Sequence, residues 1–261
     1  AWWADCISVR NSTSRWKARN WRWNAFLPKS GRRANCPRSW RKTYSRCSVP
    51  ILNVQMAPEW AQKYKNHACG AIAADKFDAF ALFMEQLVLR YGSTSEYGVR
   101  YWQIGNEPDV DVNIVPGDSV FGCWGDLNDP YYGGGYYGEM LKAVYPRIKA
   151  ADPNAQVMAG GLLLECDPYT MTVPATCQNE ERLHSGYFLE GILKAGGGDY
   201  FDILDLHGYG ELRMDLPSRM HSYYDWSPAV GGTGLPEKVA FARRLLAQYG
   251  HPDKTIVASE L

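Results

Sequence analysis

Several kinds of functional motif are missing from this 261-residue sequence. Its seven cysteines form no CxxC pair, which argues against a zinc ribbon or a thioredoxin-type site. No apolar run approaches the roughly 20 residues of a membrane-spanning helix, so we expect a soluble protein without a membrane partner. No glycine-rich phosphate loop follows any predicted strand, which weighs against a nucleotide-binding sheet. The sequence therefore predicts no cofactor.

Aliphatic and acidic residues are scarce in the first 49 residues. Only three of the first 48 are Ile, Leu or Val, and the segment shows neither a helical nor a strand period. It carries nine Arg, three Lys and six of the ten Trp against one acidic residue, whereas residues 50–261 carry 16 basic and 27 acidic residues. Arginine neutralises phosphates and tryptophan stacks on bases, so a nucleic-acid arm is one interpretation. We favour an atypical, non-native segment at 1–49, such as the product of a shifted reading frame, and predict no nucleic-acid partner.

From Pro50 onward, apolar runs suited to buried strands alternate with segments of helical periodicity. Strands are predicted at 50–57, 99–105, 155–164, 201–209 and 254–261, and helices at 74–92, 135–151, 186–196 and 235–250. Strict alternation favours parallel strands joined by right-handed helical crossovers. The sequence therefore predicts an α/β fold, built as a (β/α) barrel or a doubly wound sheet.

Polar residues gather where these predicted strands end. They are Glu59 and Trp60 after the first strand, Asn106 and Glu107 after the second, His207 and Tyr209 after the fourth, and Glu260 at the end of the fifth. In a parallel barrel the catalytic groups lie on this carboxyl-terminal face. Glycoside hydrolysis needs one carboxyl group to protonate the leaving oxygen and another to attack the anomeric carbon, about 5–5.5 Å away in retaining enzymes. Carboxylates on nonadjacent strands can provide that arrangement.

Three of these strand ends resemble motifs of clan A glycoside hydrolases. YWQIGNEPDV resembles the Asn-Glu-Pro signature that ends their fourth strand, LDLHGYG is similar to their sixth strand, and TIVASEL resembles their seventh, which ends in the nucleophile. The stretch RYGSTSEYGVRYWQIGNEPDV is most like glycoside hydrolase family 39 and its uncharacterised relatives. The resemblance implies an incomplete (β/α)8 TIM barrel in residues 50–261, a partial glycosidase catalytic domain with strands 3 to 7 recognisable. Residues 1–49 do not match, and the eighth strand is missing.

The resemblance also implies an activity and a set of site residues. The expected enzyme is a retaining glycosidase that cleaves O-glycosidic bonds of a plant or microbial glycan by double displacement, with an oligosaccharide or glycoside as substrate. Glu107 would be the general acid/base, Glu260 the nucleophile, and Asn106 the partner of the sugar 2-hydroxyl. The other predicted substrate-binding residues are His207, Tyr209 and Trp60.

Two alternatives stay open. One is a non-catalytic carbohydrate-binding or inactive, truncated barrel fragment, because missing strands would leave edges and apolar surface unpaired. The other is a metal-dependent barrel hydrolase that uses His207 with nearby acids. Only five histidines are present, and the acidic stretches DVDVN and GDLND do not fit the EF-hand spacing, so we predict no metal site.

Further expectations concern the loops and chain turns. The long connections at 108–134 and 165–185 predict a functional rim. Cys123, Cys166 and Cys177 fall in predicted loops, where an extracytoplasmic enzyme could bridge two of them, so secretion of a longer parent is compatible with the sequence although the location stays open. Pro108 predicts an extended backbone at Glu107. Asp75 and Gly92 are predicted to cap the helix at 74–92.

Overall fold

A six-stranded sheet runs through the computed structural model, which describes residues 50–169, 184–208 and 235–260 with their side chains and residues 22–26 by their backbone. The strands are β1 (Arg22–Phe26), β2 (Ile51–Gln55), β3 (Tyr101–Ile104), β4 (Gln156–Leu162), β5 (Ile203–His207) and β6 (Thr255–Glu260). The α-helices are α1 (Phe77–Tyr91), α2 (Gly134–Ala151), α3 (Phe188–Lys194) and α4 (Leu235–Gln248). Short 3-10 helices lie at Glu59–Ala61, Ala74–Lys76 and Gly197–Tyr200.

The strands lie in the sheet in chain order, from β1 to β6. From β2 to β6, each strand pairs in parallel with the next, so the predicted α/β class is confirmed. The order does not reverse among the described strands, which is the arrangement of a barrel wall rather than of a doubly wound sheet. Closure into an eight-stranded barrel, and the numbering of these strands as the third to seventh, stay predictions.

The strand β1 was not expected from the sequence. It pairs antiparallel with β2, with Arg22 opposite Gln55 and Phe26 opposite Ile51. An edge strand gains hydrogen bonds from its neighbour whatever its hydrophobic period, and this explains why the pattern of residues 1–49 did not reveal it. The division of the chain at residue 49 stays a prediction.

The two faces of the sheet differ in polarity. Leu52 and Val54 of β2, like Leu204 and Leu206 of β5, belong to the hydrophobic core that includes the buried faces of the helices. The alternate residues of these strands point to the other face, where the side chains are polar but still buried: Asn53, Gln55, Gln103, Asp205 and His207. Because successive side chains of a strand alternate between faces, this second face collects the polar groups that the site uses.

The helix α1 shows one correct and one wrong cap prediction. Gly92 is the C-cap, as predicted, and its N–H donates to Val88 O at 2.7 Å. Asp75 does not cap the start, because it lies within the 3-10 turn Ala74–Lys76 and its carboxylate binds Lys76 at 2.7 Å. That turn places Lys76 at the N-cap position, without a side-chain cap.

The long loop after β3 packs as a small second core. Val110, Val112 and Val115 cluster there with a disulfide between Cys69 and Cys123. Cys123 therefore pairs outside the group 123, 166 and 177, because the loop after β2 brings Cys69 to it. Cys166 is disulfide-bonded as well. Among the described residues, no helix is both long and apolar enough to cross a bilayer.

Candidate active site

Glu107 lies where the chain turns sharply at the end of β3. The parallel ladder continues as far as Gly105, whose N–H donates to Val54 O at 2.8 Å. The backbone then enters the left-handed region, with φ of +81° at Gly105 and +47° at Glu107. The extended geometry expected at Glu107 is therefore wrong. Proline disfavours the right-handed helical region for the residue before it, and the turn takes the left-handed region instead. The Glu107 side chain is almost fully buried.

Backbone hydrogen bonds hold this turn from the side of the long loop. Asn106 O accepts the Gly122 N–H at 3.0 Å, and Pro108 O accepts the Trp124 N–H at 3.1 Å. Val110 O accepts the N–H of Cys123, one of the disulfide cysteines, at 2.8 Å. The residues flanking Glu107 are thus fixed to a segment that is itself covalently anchored.

Asp109 holds the same turn from the side of β4. Its two carboxylate oxygens accept the N–H groups of Leu163 at 3.0 Å and Leu164 at 2.7 Å. Burial is the largest influence on this side chain and raises the pKa of Asp109 to about 6, against lowering contributions from the two N–H bonds and from Lys238. Asp109 therefore joins the ends of β3 and β4 through one buried carboxyl group.

His207, the last residue of β5, lies between the two predicted catalytic glutamates. Its Nδ1 is 2.9 Å from Glu107 Oε1 and 3.8 Å from Glu260 Oε2. Burial lowers the pKa of His207, but the hydrogen bond with Glu107 and the charges of Glu260, Glu107 and Asp205 outweigh burial, so the net direction is upward. A protonated His207 donates its Nδ1–H to Glu107. The buried Lys238 of α4 fixes the backbone here, since its Nζ donates to His207 O at 2.5 Å.

Glu260 ends β6, next to His207 in the ladder. One ligating atom from each of Glu107, His207 and Glu260 lies within 4.8 Å of the other two. The structure thus gathers three of the residues predicted from the sequence into one partly buried cluster. Such a cluster also offers two carboxylates and an imidazole to a metal ion.

The strand β4 makes room for this cluster with two glycines. Its register shifts between Ala159 and Leu162, so Gly160 and Gly161 form a bulge. Gly161 has φ of +62°, and a Cβ there would lie 2.4 Å from His207 Nε2. A Cβ at Gly160 would lie 2.8 Å from Pro108 Cγ. Pro108 and His207 therefore both pack against a backbone that only glycine allows to come so close.

The remaining predicted residues fall into different places. Asn106 is half-buried beside Glu107, and its Oδ1 accepts a hydrogen bond from Asn53 Nδ2 at 3.4 Å. Trp60 lies in the 3-10 helix after β2 with 49% of its surface exposed, so it borders the carboxyl-terminal face rather than the buried cluster. Tyr209 lies outside the described residues.

The acidic stretches of the long loop use their carboxylates internally. Asp111 Oδ1 accepts the N–H of Asn113 at 2.7 Å, and Asp126 Oδ1 accepts the N–H of Asn128 at 3.0 Å. Both are Asx-type turns, in which a carboxylate caps the backbone two residues further on. These carboxylates thus order the loop that supports Glu107.

Sequence reasoning missed three buried charged residues around the cluster: Asp109, Asp205 and Lys238. Asp205 had a usable signal, since it precedes His207 by two residues and a strand places such residues on one face. No sequence signal could have predicted Asp109 and Lys238, because their partners are backbone groups of distant segments.

The fold and the site together define an α/β protein whose parallel strands end in a buried cluster of two carboxylates and an imidazole. No protein-family model matches the chain, and no curated protein matches it. The solved structures to which it is similar include glycoside hydrolases.

Three of these structures illustrate the likeness. A family 39 glycoside hydrolase from the gut symbiont Bacteroides cellulosilyticus WH2 is 20% identical, with a TM-score of 0.34 over 56% of this chain and 21% of that one. A glucosidase from Croceicoccus marinus is 17% identical, with a TM-score of 0.37 over 69% and 29%. A family 51 alpha-L-arabinofuranosidase from Bifidobacterium longum is 14% identical, with a TM-score of 0.36 over 67% and 30%.

The chain spans 21% to 30% of the length of these three proteins, and the TM-scores are 0.34 to 0.37, below 0.5. The chemistry of the site therefore has to follow from its own geometry.

Proposed function

We propose that this chain carries the catalytic centre of a retaining glycoside hydrolase. The observation that supports the proposal most directly is the approach of Glu107 and Glu260, whose nearest oxygens lie within 4.8 Å of each other although the residues end different strands. Retaining enzymes hold their two carboxyl groups about 5–5.5 Å apart, whereas inverting enzymes leave about 6.5–9.5 Å for a water molecule. The short separation favours double displacement.

In the first step, Glu260 attacks the anomeric carbon while the glycosidic C–O bond breaks and Glu107 gives its proton to the leaving oxygen. The product of this step is a glycosyl ester on Glu260. In the second step, Glu107 takes a proton from water, and the water oxygen displaces Glu260 from the anomeric carbon. Each step transfers one proton through Glu107, so this side chain has to alternate between its acid and base forms.

The neighbours of the pair have supporting roles in this scheme. The His207 Nδ1 lies 2.9 Å from Glu107 Oε1 and 3.8 Å from Glu260 Oε2, so this ring orients the two carboxyl groups relative to each other. Asn106 receives a hydrogen bond at Oδ1 from Asn53, which leaves its amide nitrogen to meet the sugar 2-hydroxyl. Trp60 and Tyr209 are proposed as further substrate contacts. The resemblance to family 39 suggests β-xylosides or uronide-type glycosides of plant or microbial origin as substrates.

The test is hydrolysis of 4-nitrophenyl and phenyl β-D-xylosides, and of the corresponding glucuronides, by the parent chain, E107Q and E260Q. We expect E260Q to fall to background on every substrate. E107Q should lose about 10²–10⁴-fold, and more on the phenyl glycoside, because a poorer leaving group depends more on protonation. E139Q, at an exposed position of α2, is the matched control and should keep full activity.

Either of two results would end the proposal: turnover that survives both active-site substitutions, or a parent chain that binds xylo-oligosaccharides in calorimetry without hydrolysing any glycoside. The second result would favour the alternative of a non-catalytic carbohydrate-binding or inactive fragment.

A metal-dependent hydrolase is a second candidate, because Glu107, His207 and Glu260 can offer three ligands to one ion. Imidazole with carboxylates suits zinc, iron or manganese. In that case, chelation by EDTA would abolish hydrolysis and added Zn²⁺ or Mn²⁺ would restore it. The glycosidase scheme predicts activity unchanged by EDTA.

A further inference from the structure

The direction of the Glu260 side chain depends on an irregularity in β6. Leu206 lies opposite Ala258, but the next residue, His207, lies opposite Glu260 rather than Ser259. Ser259 is thus an extra residue on β6, a β-bulge. Without it, Glu260 would follow the alternation set by Ile256 and Ala258 and would turn toward the face that packs on the helices. The bulge brings Glu260 to the face of His207.

Asp205 holds the bulged residue with both of its oxygens. Its Oδ1 accepts the Ser259 N–H at 3.1 Å, and its Oδ2 accepts the Ser259 hydroxyl at 2.7 Å. Asp205 is fully buried, so these bonds have little competition from water. A bulge disrupts the regular ladder, and the carboxylate supplies an acceptor for the backbone N–H of the extra residue.

We propose that Asp205 and Ser259 form a positioning pair that holds the Glu260 carboxylate toward His207 and Glu107. Neither residue enters the reaction itself. This proposal rests on the proposed function in one respect: Glu260 has to be the nucleophile of that reaction. The geometry of Glu260 can be followed without turnover, so the two proposals can fail separately.

The kinetic test compares S259A with S259T. Alanine removes the hydroxyl bond to Asp205, whereas threonine keeps it. Small misplacements of a reacting group can cost about 10²-fold in rate, so S259A should lower kcat about 10–100-fold on 4-nitrophenyl β-D-xyloside with KM changed little. The kcat of S259T should stay within about threefold of the parent value, because threonine keeps the hydroxyl bond that positions Glu260. S95A removes a hydroxyl bond to Gly92 O far from the site and should leave kcat unchanged.

The second readout is the pKa of His207, followed by NMR of its imidazole. The Glu260 charge contributes to raising this pKa, so a Glu260 that swings away in S259A should let it fall. Circular dichroism checks that each variant is folded. A fall in S259A but not in S259T supports the positioning pair even when the parent hydrolyses no glycoside. Unchanged kcat and unchanged His207 pKa in folded S259A would overturn it.

Discussion

At the scale of single residues, Glu107 is held in a backbone conformation that side-chain-bearing residues avoid. Its φ of +47° lies in the left-handed region, which costs on the order of 1–3 kcal/mol at functional sites. Such strain persists only where several contacts with the surrounding structure fix the backbone geometry. Here the neighbours Asn106 and Pro108 are fixed by backbone hydrogen bonds to the long loop, and Asp109 is fixed to β4.

Gly161 gives the most direct residue-scale prediction. Alanine at this position would place its Cβ 2.4 Å from His207 Nε2 and 2.7 Å from Gln103 Nε2, at a φ of +62°. We expect G161A to lower the free energy of unfolding by about 1–3 kcal/mol, because the crowded side chains have to shift. It should also reduce turnover, since His207 moves away from Glu107. Urea denaturation and initial rates measure the two effects.

The matched control is G135A on α2, where the nearest atoms to a Cβ are 3.8 and 3.9 Å away. Alanine in a helix is favoured over glycine by roughly 0.5–1 kcal/mol, so this variant should be as stable as the parent or more so. If G161A proved as stable as G135A, the close packing of β4 against His207 would be wrong.

At the scale of elements, hydrophobic periodicity predicted the strands and helices after residue 50 to within a few residues. The strand predicted at 99–105 is observed at Tyr101–Ile104, and the helix predicted at 135–151 at Gly134–Ala151. The predictions succeeded because one stripe of each element is buried in a common core. The strand ends were placed too far along the chain where the backbone turns into left-handed residues, as it does after β3.

The features that the sequence did not reveal depend on residues that are distant in the sequence and that the fold brings together, not on a local sequence pattern. Cys69 and Cys123 are 54 residues apart, and only the adjacent ends of β2 and β3 bring them together. The bulge at Ser259 could not be predicted either, because the sequence pattern of Thr255–Glu260 is the same for a regular strand as for a bulged one. Of the candidate site, the sequence supplied the residue types at the strand ends but not the buried groups that hold them.

Asp109 carries the element-scale prediction. D109N keeps one acceptor oxygen, but its amide group has to face one of the two N–H donors of Leu163 and Leu164. An unmatched buried donor costs about 1–3 kcal/mol, so the free energy of unfolding should fall by that order in chemical denaturation. D253N, in an exposed turn before β6, is the control and should be neutral. Equal stability of the two variants would contradict a structural link between β3 and β4 through Asp109.

At the scale of the whole molecule, the buried acids of the site make stability depend on pH. Burial raises the pKa of Asp109 and of Asp205 from the ordinary 3.8 to about 6. The folded state therefore binds these protons more tightly than the unfolded state does, and the free energy of unfolding should decrease as the pH rises from about 4 to about 6. The raised pKa of His207 acts in the same direction, since its contribution is lost as the pH rises through the folded-state pKa.

Urea denaturation at a series of pH values between 4 and 8 checks this expectation. D205N removes one of the two acids, so the decrease between pH 4 and 6 should become smaller in that variant. A stability that rises over this range in the parent chain would show that other groups outweigh the buried acids.

The left-handed backbone at Glu107 also affects which residues can replace this glutamate in related proteins. Glycine, and to a lesser degree asparagine, adopts this conformation at lower cost, so under the proposed function the position stays glutamate only while selection for the acid/base carboxylate opposes drift. A relative with glycine between the asparagine and the proline of this turn is therefore expected to lack the proposed acid/base group and to have gained stability in the same substitution.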